Sequence, residues 1–167
     1  MRRTSFAADE CPIARAADGV GDVWGVLVLR EMFDGYQRFD ELTGRLGIAP
    51  NMLSRRLAAL VDAGLVERRR YSDRPPRDEY VLTPLGHSYR AVVVALFAVT
   101  TAATAPASRP LLLVDRATGR EVEPVLVDRA TGRALDEVDV EWVAGPGASP
   151  GMRARRAEVQ RRRAATG

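Results

Sequence analysis

Apolar residues recur at the spacing of an α-helix through most of the first hundred positions, and a charged segment after residue 64 interrupts this pattern. The pattern predicts a mainly α-helical fold with a small β component. A short helix is expected to begin at Cys11-Pro12, because proline suits the first helical position. The other predicted helices cover residues 23–33, 38–46, 50–63 and 84–101.

The helix from Val23 to Phe33 is apolar on nearly every face, which is typical of a helix at the centre of a core. Asp22 precedes it as a capping residue. The helix that opens at Pro50 has one apolar stripe, formed by Leu53, Leu57, Leu60 and Val61. Gly64 follows this helix as a stop signal.

The charged segment predicts a β-hairpin with strands at residues 65–71 and 77–82. Its tip, residues 72–76, is expected to lie outside the strands, because Pro75 and Pro76 cannot donate hydrogen bonds to a ladder. The order helix, short turn, helix and two-stranded wing is that of a winged helix-turn-helix, which docks on DNA. The sequence therefore predicts a DNA-binding domain between residues 11 and 103.

The helix that opens at Pro50 is the expected recognition helix. If Leu57 points inward, a rotation of about 100° per residue turns Arg55 almost directly outward, and Asn51 and Met52 share that face. Asparagine can pair with adenine and arginine with guanine in the major groove. Asn51 and Arg55 are therefore the expected base-reading residues.

Other side chains are better placed for the DNA backbone. Ser54 and Arg56 flank the outward face, and Arg38 lies on the preceding helix. For Arg56 an internal ion pair is an equal alternative. Arg74 and Arg77 flank the hairpin tip and are expected to contact the minor groove or the backbone.

The helix at residues 84–101 carries more apolar surface than one helix can bury. Its heptad-like seam is formed by Leu85, Tyr89, Val92, Leu96 and Val99. A second subunit would cover this seam, so a homodimer is expected.

The remainder of the chain differs in character. Residues 104–144 predict a small β-meander with strands near 110–115, 121–128 and 138–143, and the heptapeptide Val-Asp-Arg-Ala-Thr-Gly-Arg occurs twice, at 114–120 and 127–133. Residues 1–10 are expected to form a flexible arm. Residues 145–167 are expected to be a disordered, arginine-rich tail.

Charge and composition narrow the function. All 25 basic residues are arginine, and the net charge of +3 comes from the tail, which holds six arginines and one glutamate. The tail is expected to add sequence-independent DNA affinity. No apolar run approaches 18 residues and the N-terminus does not look like a signal peptide, so no membrane association and a cytoplasmic location are expected. Neither a metal nor another cofactor is expected, because Cys11 is the single cysteine.

The chain resembles the HxlR family of bacterial transcriptional regulators, relatives of the MarR group, over about residues 8–100. The motifs that carry the resemblance lie at residues 11–13, 21–24, 29–31, 38–42, 48–57, 63–68, 75–80 and 82–86. The resemblance implies a homodimer that binds a pseudo-palindromic operator and regulates transcription, with repression as the expected mode. Val23 departs from the family, which often has a basic residue there. Residues 97–103 also lack the tryptophan that many relatives carry after this helix.

Two kinds of effector are open. The resemblance implies that Cys11 senses oxidants or electrophiles, and its place at a helix N-terminus favours a thiolate; the alternative is a small buried residue in the dimer interface. A cleft for small aromatic ligands would be lined by Trp24, Phe33, Tyr36, Tyr89 and Phe97. These aromatic residues are also typical of a plain core.

Two other function classes were considered. A winged helix can serve as a protein-interaction module with only non-specific DNA affinity. An enzyme would have to use Cys11 with His87, the single histidine, and the sequence supplies neither an orienting group nor an oxyanion site. The chain is therefore not expected to be an enzyme.

Overall fold

A computed structural model describes residues 5–165. The helices are α1 (Pro12–Val20), α2 (Val23–Phe33), α3 (Phe39–Leu46), α4 (Pro50–Asp62), α5 (Pro84–Ser88), α6 (Arg90–Ala102) and α7 (Pro150–Ala164), and the strands are β1 (Val66–Asp73) and β2 (Pro76–Leu82). The chain forms two compact units. One, the winged-helix unit, covers Ala17–Val125; the other, the terminal unit, combines the chain up to Ala16 with Leu126 onward.

The core of the winged-helix unit forms around α2, as its apolar sequence predicts. Val28 and Leu29 are fully buried and pack with Leu42 of α3 and with the α4 stripe of Leu53, Leu57 and Leu60. The predicted bounds of α2 are confirmed, and Asp22 caps it by accepting hydrogen bonds from the Trp24 and Gly25 backbone N–H groups at 3.1 and 3.3 Å. Gly47 ends α3 with a φ of 59°, a left-handed conformation that favours glycine.

Glu31 is a carboxylate inside this core. Its side chain is 2% exposed, and it accepts hydrogen bonds from Arg30 of its own helix and from Arg45 of α3, whose Nε lies 3.1 Å from Oε2. Burial raises the pKa of Glu31, but the two arginines outweigh burial and hold the pKa below its usual value. Arg45 also stacks on Tyr36, 4.7 Å from the ring centroid. Glu31 therefore joins α3 to α2.

The antiparallel hairpin β1–β2 is longer than predicted. Ser72, Asp73 and Pro76 belong to the strands, and Asp73 pairs with Pro76, so only residues 74 and 75 form the turn. The prediction that residues 72–76 lie outside the strands was therefore wrong for three of them. Pro76 is tolerated because it is the first residue of its strand, where a missing N–H removes no internal ladder bond.

Helices α5 and α6 follow the hairpin along the predicted 84–101 helix, with a break at Tyr89. Gly86 lets α5 approach β1: a Cβ there would lie 2.0 Å from the carbonyl oxygen of Leu65. Four seam residues are 48–75% exposed, namely Leu85, Val92, Leu96 and Val99. By length and composition alone, Pro84–Ala102 is also apolar enough to cross a membrane, which the sequence analysis did not expect.

The prediction of a β-meander in residues 104–144 was wrong. The described residues there form two isolated bridges, Val114 with Glu121 and Val127 with Ala134, and two short 3-10 turns. Each copy of the repeat closes a tight loop of its own instead. The prediction assigned strands to the segments beside each repeat, but a loop that satisfies its own hydrogen bonds leaves little backbone for a ladder.

The repeated heptapeptide explains these loops. In the first copy the Asp115 carboxylate accepts hydrogen bonds from the Ala117 N–H at 2.9 Å and the Thr118 hydroxyl at 2.8 Å, and Gly119 has a φ of 70°. These bonds hold the pKa of Asp115 below its usual value. The second copy repeats the arrangement at Asp128 and Gly132.

Residues Pro150–Ala164 of the arginine-rich tail form a helix, so the prediction of disorder was wrong for them. Ser149 caps α7 by accepting from the Met152 N–H at 3.1 Å, and Glu158 pairs with Arg161 and Arg162 one turn later. Arginine, alanine and glutamate all favour helices, and a serine-proline start signals one. These local signals outweigh the mutual repulsion of the arginines.

The predicted flexible arm, residues 1–10, lies partly outside the described residues. In its described part, Asp9 accepts a hydrogen bond from the Cys11 N–H at 2.7 Å. The Glu10 carboxylate accepts from the Ser149 hydroxyl at 2.7 Å and from the Ser149 backbone N–H. The last residues of the arm therefore hold the start of α7.

Glu31→Gln should lower the free energy of unfolding at neutral pH by about 1–3 kcal/mol, because a neutral amide forms weaker hydrogen bonds with the two arginines. Because the pKa of Glu31 is lowered in the folded state, its carboxylate stabilises the fold fully at a pH above the usual glutamate pKa. This stabilisation is lost as the pH falls through the folded-state pKa. Urea unfolding at pH 7 and pH 4 should therefore show a smaller acid destabilisation in Glu31→Gln than in the wild type. Glu67→Gln, at an exposed wing position, is the control, and equal acid sensitivity of wild type and Glu31→Gln would contradict this role.

Candidate nucleic-acid interface

The outward face of α4 is formed by small or polar residues one turn apart. Asn51, Ser54, Arg55 and Ala58 are exposed. The buried stripe of the same helix is formed by Leu53, Leu57 and Leu60. Arg55 forms no ion pair or hydrogen bond within residues 5–165. Ser54 donates its hydroxyl to the Pro50 carbonyl oxygen at 2.9 Å, so this hydroxyl is already used within the helix.

Met52 does not belong to this exposed face. It is half-buried and packs against the core cluster, so the placement of Met52 on the outer face was wrong. The rotation of about 100° per residue sets only the direction of a side chain. A long, flexible thioether at the edge of the face can fold back onto apolar neighbours.

Arg56 is held inside the domain. Its Nη2 atom lies 2.5 Å from Oδ2 of Asp22, and 27% of its side chain is exposed. Of the two alternatives for this arginine, the structure shows the ion pair. Asp22 therefore caps α2 with one carboxylate oxygen and contacts α4 with the other.

The wing separates its arginines into two groups. In the first group each arginine is bound to an acid across the hairpin: Arg68 and Arg70 pair with Asp78, and Arg69 pairs with Glu79 at 2.6 Å. The hydrogen bond from Arg68, followed by that from Arg70, holds the pKa of Asp78 below its usual value.

The second group consists of Arg74 at the turn and Arg77 beside it. Both are exposed, and neither forms an ion pair with any residue in the described range 5–165. Their positive charge is therefore uncompensated at the far end of the hairpin. This is the arrangement expected of a wing tip that meets a polyanion.

Arg38 lies where the chain enters α3 beside the wing. The backbone of Arg38 forms an antiparallel β-bridge with that of Glu79, and the Tyr80 N–H donates to the Gln37 carbonyl oxygen at 2.7 Å. Residues 37–38 therefore pair with β2 like a very short third strand. The Arg38 guanidinium also lies 4.8 Å from the centroid of the Tyr71 ring. Arg38 is exposed, but this stacking draws it toward the wing.

A groove of about 600 Å³ separates α4 from the wing. On the α4 side it is lined by Ser54, Ala58 and Asp62, and on the wing side by Arg68, Asp78 and Tyr80. Asp78 in this groove is already paired with Arg68 and Arg70, whereas Asp62 forms no ion pair within residues 5–165 and would repel a phosphate group. The face suited to DNA is therefore the crest of α4 and the wing tip rather than the groove between them.

The aromatic residues of the proposed ligand cleft are mostly core residues. Trp24, Phe33, Tyr36 and Tyr89 pack against the buried cluster of the winged-helix unit, which bears out the core alternative for these four. Burial raises the pKa of Tyr89. Phe97 lies half-buried on α6.

The remaining candidate residues belong to other elements of the chain. Cys11 is a free, half-buried cysteine of the terminal unit. His87 is exposed on α5 in the winged-helix unit. Within residues 5–165, no group of three or more His, Cys, Asp or Glu side chains could hold a metal ion.

The sequence analysis did not find the link from Asp22 to α4. Asp22 was identified only as a cap, and the possible ion pair of Arg56 had no named partner. The signal is a capping carboxylate that binds backbone N–H groups through one oxygen and so leaves the other available. The distance of 34 positions along the chain hides the pairing.

The sequence of this chain is similar to those of known helix-turn-helix proteins. A family model described as HxlR-like helix-turn-helix matches residues 19–107. An uncharacterised HTH-type transcriptional regulator of Mycobacterium bovis is 45% identical over 84 residues, which are 50% of this chain and 53% of that protein. YtfH of Escherichia coli, also named an uncharacterised HTH-type transcriptional regulator, is 35% identical over 97 residues, 58% of this chain and 77% of YtfH. The match thus spans about half the length of the first of these relatives.

Solved structures extend the likeness beyond the winged helix. PA1374 of Pseudomonas aeruginosa, described as a candidate transcription factor, is 45% identical with a TM-score of 0.65 and covers 87% of this chain and 99% of its own. The reduced form of the redox regulator HypR is 29% identical with a TM-score of 0.51, over 55% of this chain and 92% of its own.

Arg56→Gln and Asp22→Asn should be non-additive in unfolding, with a coupling of about 0.5–1 kcal/mol, because each variant removes the same partly exposed ion pair. The asparagine keeps an oxygen for the cap of α2, so Asp22→Asn tests the pair rather than the cap. Urea denaturation of the two single variants and the double variant measures the coupling. The salt dependence of DNA binding should be unchanged in Arg56→Gln; a slope reduced by about one, with unchanged stability, would make Arg56 a phosphate contact instead.

Proposed function

Because the chain belongs to the HxlR-like helix-turn-helix family, we propose that it is a transcriptional regulator that binds a specific double-stranded DNA sequence through α4. The observation that carries this proposal is the exposed Arg55, which has no partner in the described chain and stands at the crest of that helix. A charged guanidinium kept out of ion pairs, in a domain where many arginines are paired, is available for an external acceptor.

The position of Arg55 also supports base reading. It follows Asn51 by one helical turn in the first half of α4, the part of a recognition helix that reaches base edges. The exposed Ala58, one turn further on, leaves room for the helix to enter the major groove. Arg55 would pair with guanine and Asn51 with adenine.

Three further arginines would contact the DNA backbone. Arg74 and Arg77 would follow the phosphates or the minor groove from the wing tip, and Arg38 would approach from the start of α3. Ser54 would make a weaker contribution, since its hydroxyl donates within α4. Arg56 is assigned to the Asp22 pair rather than to DNA.

A homodimer is part of the same proposal. The exposed residues Leu85, Val92, Leu96 and Val99 form an apolar strip on α5 and α6, which Tyr89 interrupts because it packs against the core. A second copy of this strip would cover it and place two α4 helices on one DNA molecule, as a pseudo-palindromic operator requires. Covering by a second copy also accounts for the apolar character of Pro84–Ala102 without a membrane, and the location of such a regulator is the cytoplasm.

The mode of action is proposed to be repression that an effector relieves. HypR is described as a redox regulator, which supports a role for Cys11 in sensing oxidants or electrophiles. With one cysteine per chain, any disulfide would join two subunits. Diamide should lower operator affinity in the wild type and leave Cys11→Ser unchanged; equal behaviour of the two proteins would remove the sensing role.

A protein-interaction module is the second candidate function. The groove beside α4 favours it, because Asp62 lines the groove without an ion pair in residues 5–165, so it would repel phosphate and could accept a basic side chain of a peptide. In that case DNA binding would be weak and independent of sequence.

Arg55→Ala should weaken binding to the operator by about 1–3 kcal/mol and reduce discrimination at one base pair, because a bidentate contact with guanine is lost. Fluorescence anisotropy on the DNA beside the gene for this protein, with excess competitor DNA, measures this effect. Arg116→Ala removes an equally exposed arginine in the first repeat loop and serves as the control. If Arg55→Ala and Arg116→Ala bind the operator equally well, and neither prefers it to competitor DNA, the protein-interaction module is favoured.

Leu96→Glu should convert the dimer to a monomer, because a carboxylate in the centre of the strip would be buried without a partner. Sedimentation velocity measures the mass of each species. Ala91→Glu is the control, since Ala91 is exposed on the same helix about 100° away from the strip. A Leu96→Glu protein that stays dimeric would show that another surface holds the subunits together.

A further inference from the structure

The terminal unit contains a cavity of about 560 Å³ that lies outside the residues matched by the family model. It is lined by the start of α1, with Cys11, Pro12 and Ile13, and by the first turns of α7 together with Trp142, which precedes α7. This volume is typical of sites for small organic ligands.

The cavity has an apolar wall that is left open to solvent. Trp142 is 70% exposed and Ile13 is 58% exposed, although both are large apolar side chains. Met152 of α7 completes this wall. A flat aromatic body would remove the indole face and the isoleucine side chain from water.

The polar side of the cavity is positive. Arg155 and Arg156 of α7 line it, and neither forms an ion pair within residues 5–165. The Nε atom of Arg156 is buried and has no hydrogen-bond partner there. The positive charge of the two guanidinium groups is open to an anionic group in the cavity, whereas this Nε atom is closed to solvent and is not reached directly.

The other charged groups of the cavity are already engaged. Arg15 donates from Nη1 to the carbonyl oxygens of Asp9 and Glu10, at 2.8 and 3.3 Å. The Glu10 carboxylate accepts from Ser149, and these bonds hold the pKa of Glu10 below its usual value. The carboxylate of Glu10 therefore does not neutralise the two α7 arginines by direct contact.

We propose that this cavity binds a small aromatic anion, with the aromatic body against Trp142 and Ile13 and the anionic group at Arg156 and Arg155. The positive charge of the two arginines favours an anionic ligand, and the exposed indole of Trp142 favours a flat apolar ring system. Such a ligand would join α1 to α7. The binding site belongs to the terminal unit alone, so it stands or falls independently of DNA binding by α4.

Cys11 provides a reporter for the site. It lines the cavity and is the single cysteine of the chain, so alkylation of the protein by iodoacetamide reports access to this position alone. A bound aromatic anion would cover the thiol and slow alkylation. This readout needs neither DNA nor an enzymatic activity.

The test uses the full chain and 2-naphthoate as the probe. Isothermal titration calorimetry should show saturable binding, and saturating 2-naphthoate should slow Cys11 alkylation, followed by mass spectrometry, several-fold. Arg156→Gln and Trp142→Leu should each weaken 2-naphthoate binding about tenfold. Arg163→Gln, an exposed position two turns further along α7, should bind like the wild type. 2-Naphthalenemethanol, which has the same rings without the charge, should bind at least tenfold more weakly.

Three results would overturn the proposal. The first is no saturable binding with unchanged alkylation. The second is equal weakening in Arg156→Gln and Arg163→Gln, which would mean attraction to the arginine-rich helix in general. The third is Cys11 protection that depends on protein concentration and not on 2-naphthoate, which would mean that a second copy of the chain fills the cavity. Circular dichroism of each variant confirms that α7 remains folded.

Discussion

The carboxylate of Asp22 holds two helices at once, and the placement of the outward face of α4 depends on it. One oxygen accepts from the first N–H groups of α2, the central helix of the core, and the other binds Arg56 of α4. Arg56 is turned toward Asp22, and the neighbouring Arg55 is turned away from the core. The buried leucine stripe sets the rotation of α4, and the ion pair holds Arg56 on the flank of the residue proposed to read bases.

Pairing of arginines is the second constraint. All basic side chains of this chain are arginine, so the type of basic residue does not distinguish a binding site from the rest of the surface. In the wing, Asp78 and Glu79 neutralise Arg68, Arg69 and Arg70. Within α4 and the wing, Arg55, Arg74 and Arg77 form no ion pair with any residue of the described range 5–165, and they lie on the α4 crest and the wing tip. Local neutralisation, rather than the net charge of +3, thus defines the proposed interface.

The winged-helix unit was largely predictable because its signals are local and mutually consistent. The cap at Asp22, the apolar stripe of α4 and the glycine stops each set one element boundary, and the structure confirms them. The outward direction of Arg55 followed from helical rotation alone. That of Met52 did not, because flexible side chains at the edge of a face follow the packing that is available to them.

The later part of the chain was predicted poorly for a different reason. Composition suggested disorder for the arginine-rich tail, yet the Ser149 cap and the Glu158 pairs form a helix. The segments beside the repeated heptapeptide were predicted to form a meander, yet Asp115 and Asp128 close loops through their own side chains. The contact of Glu10 with Ser149 joins residues 139 positions apart, and no local pattern announces such a contact.

The central claim is that two copies of α4 read one DNA site. Hydroxyl-radical footprinting of the wild-type protein on the DNA beside its own gene, in excess competitor DNA, tests this claim most directly. The account predicts two protected clusters related by a dyad, with their centres one helical turn of about 10–10.5 base pairs, or a small multiple of it, apart. Uniform weak protection that competitor DNA removes would contradict the claim, because it would leave only sequence-independent attraction between arginines and phosphates.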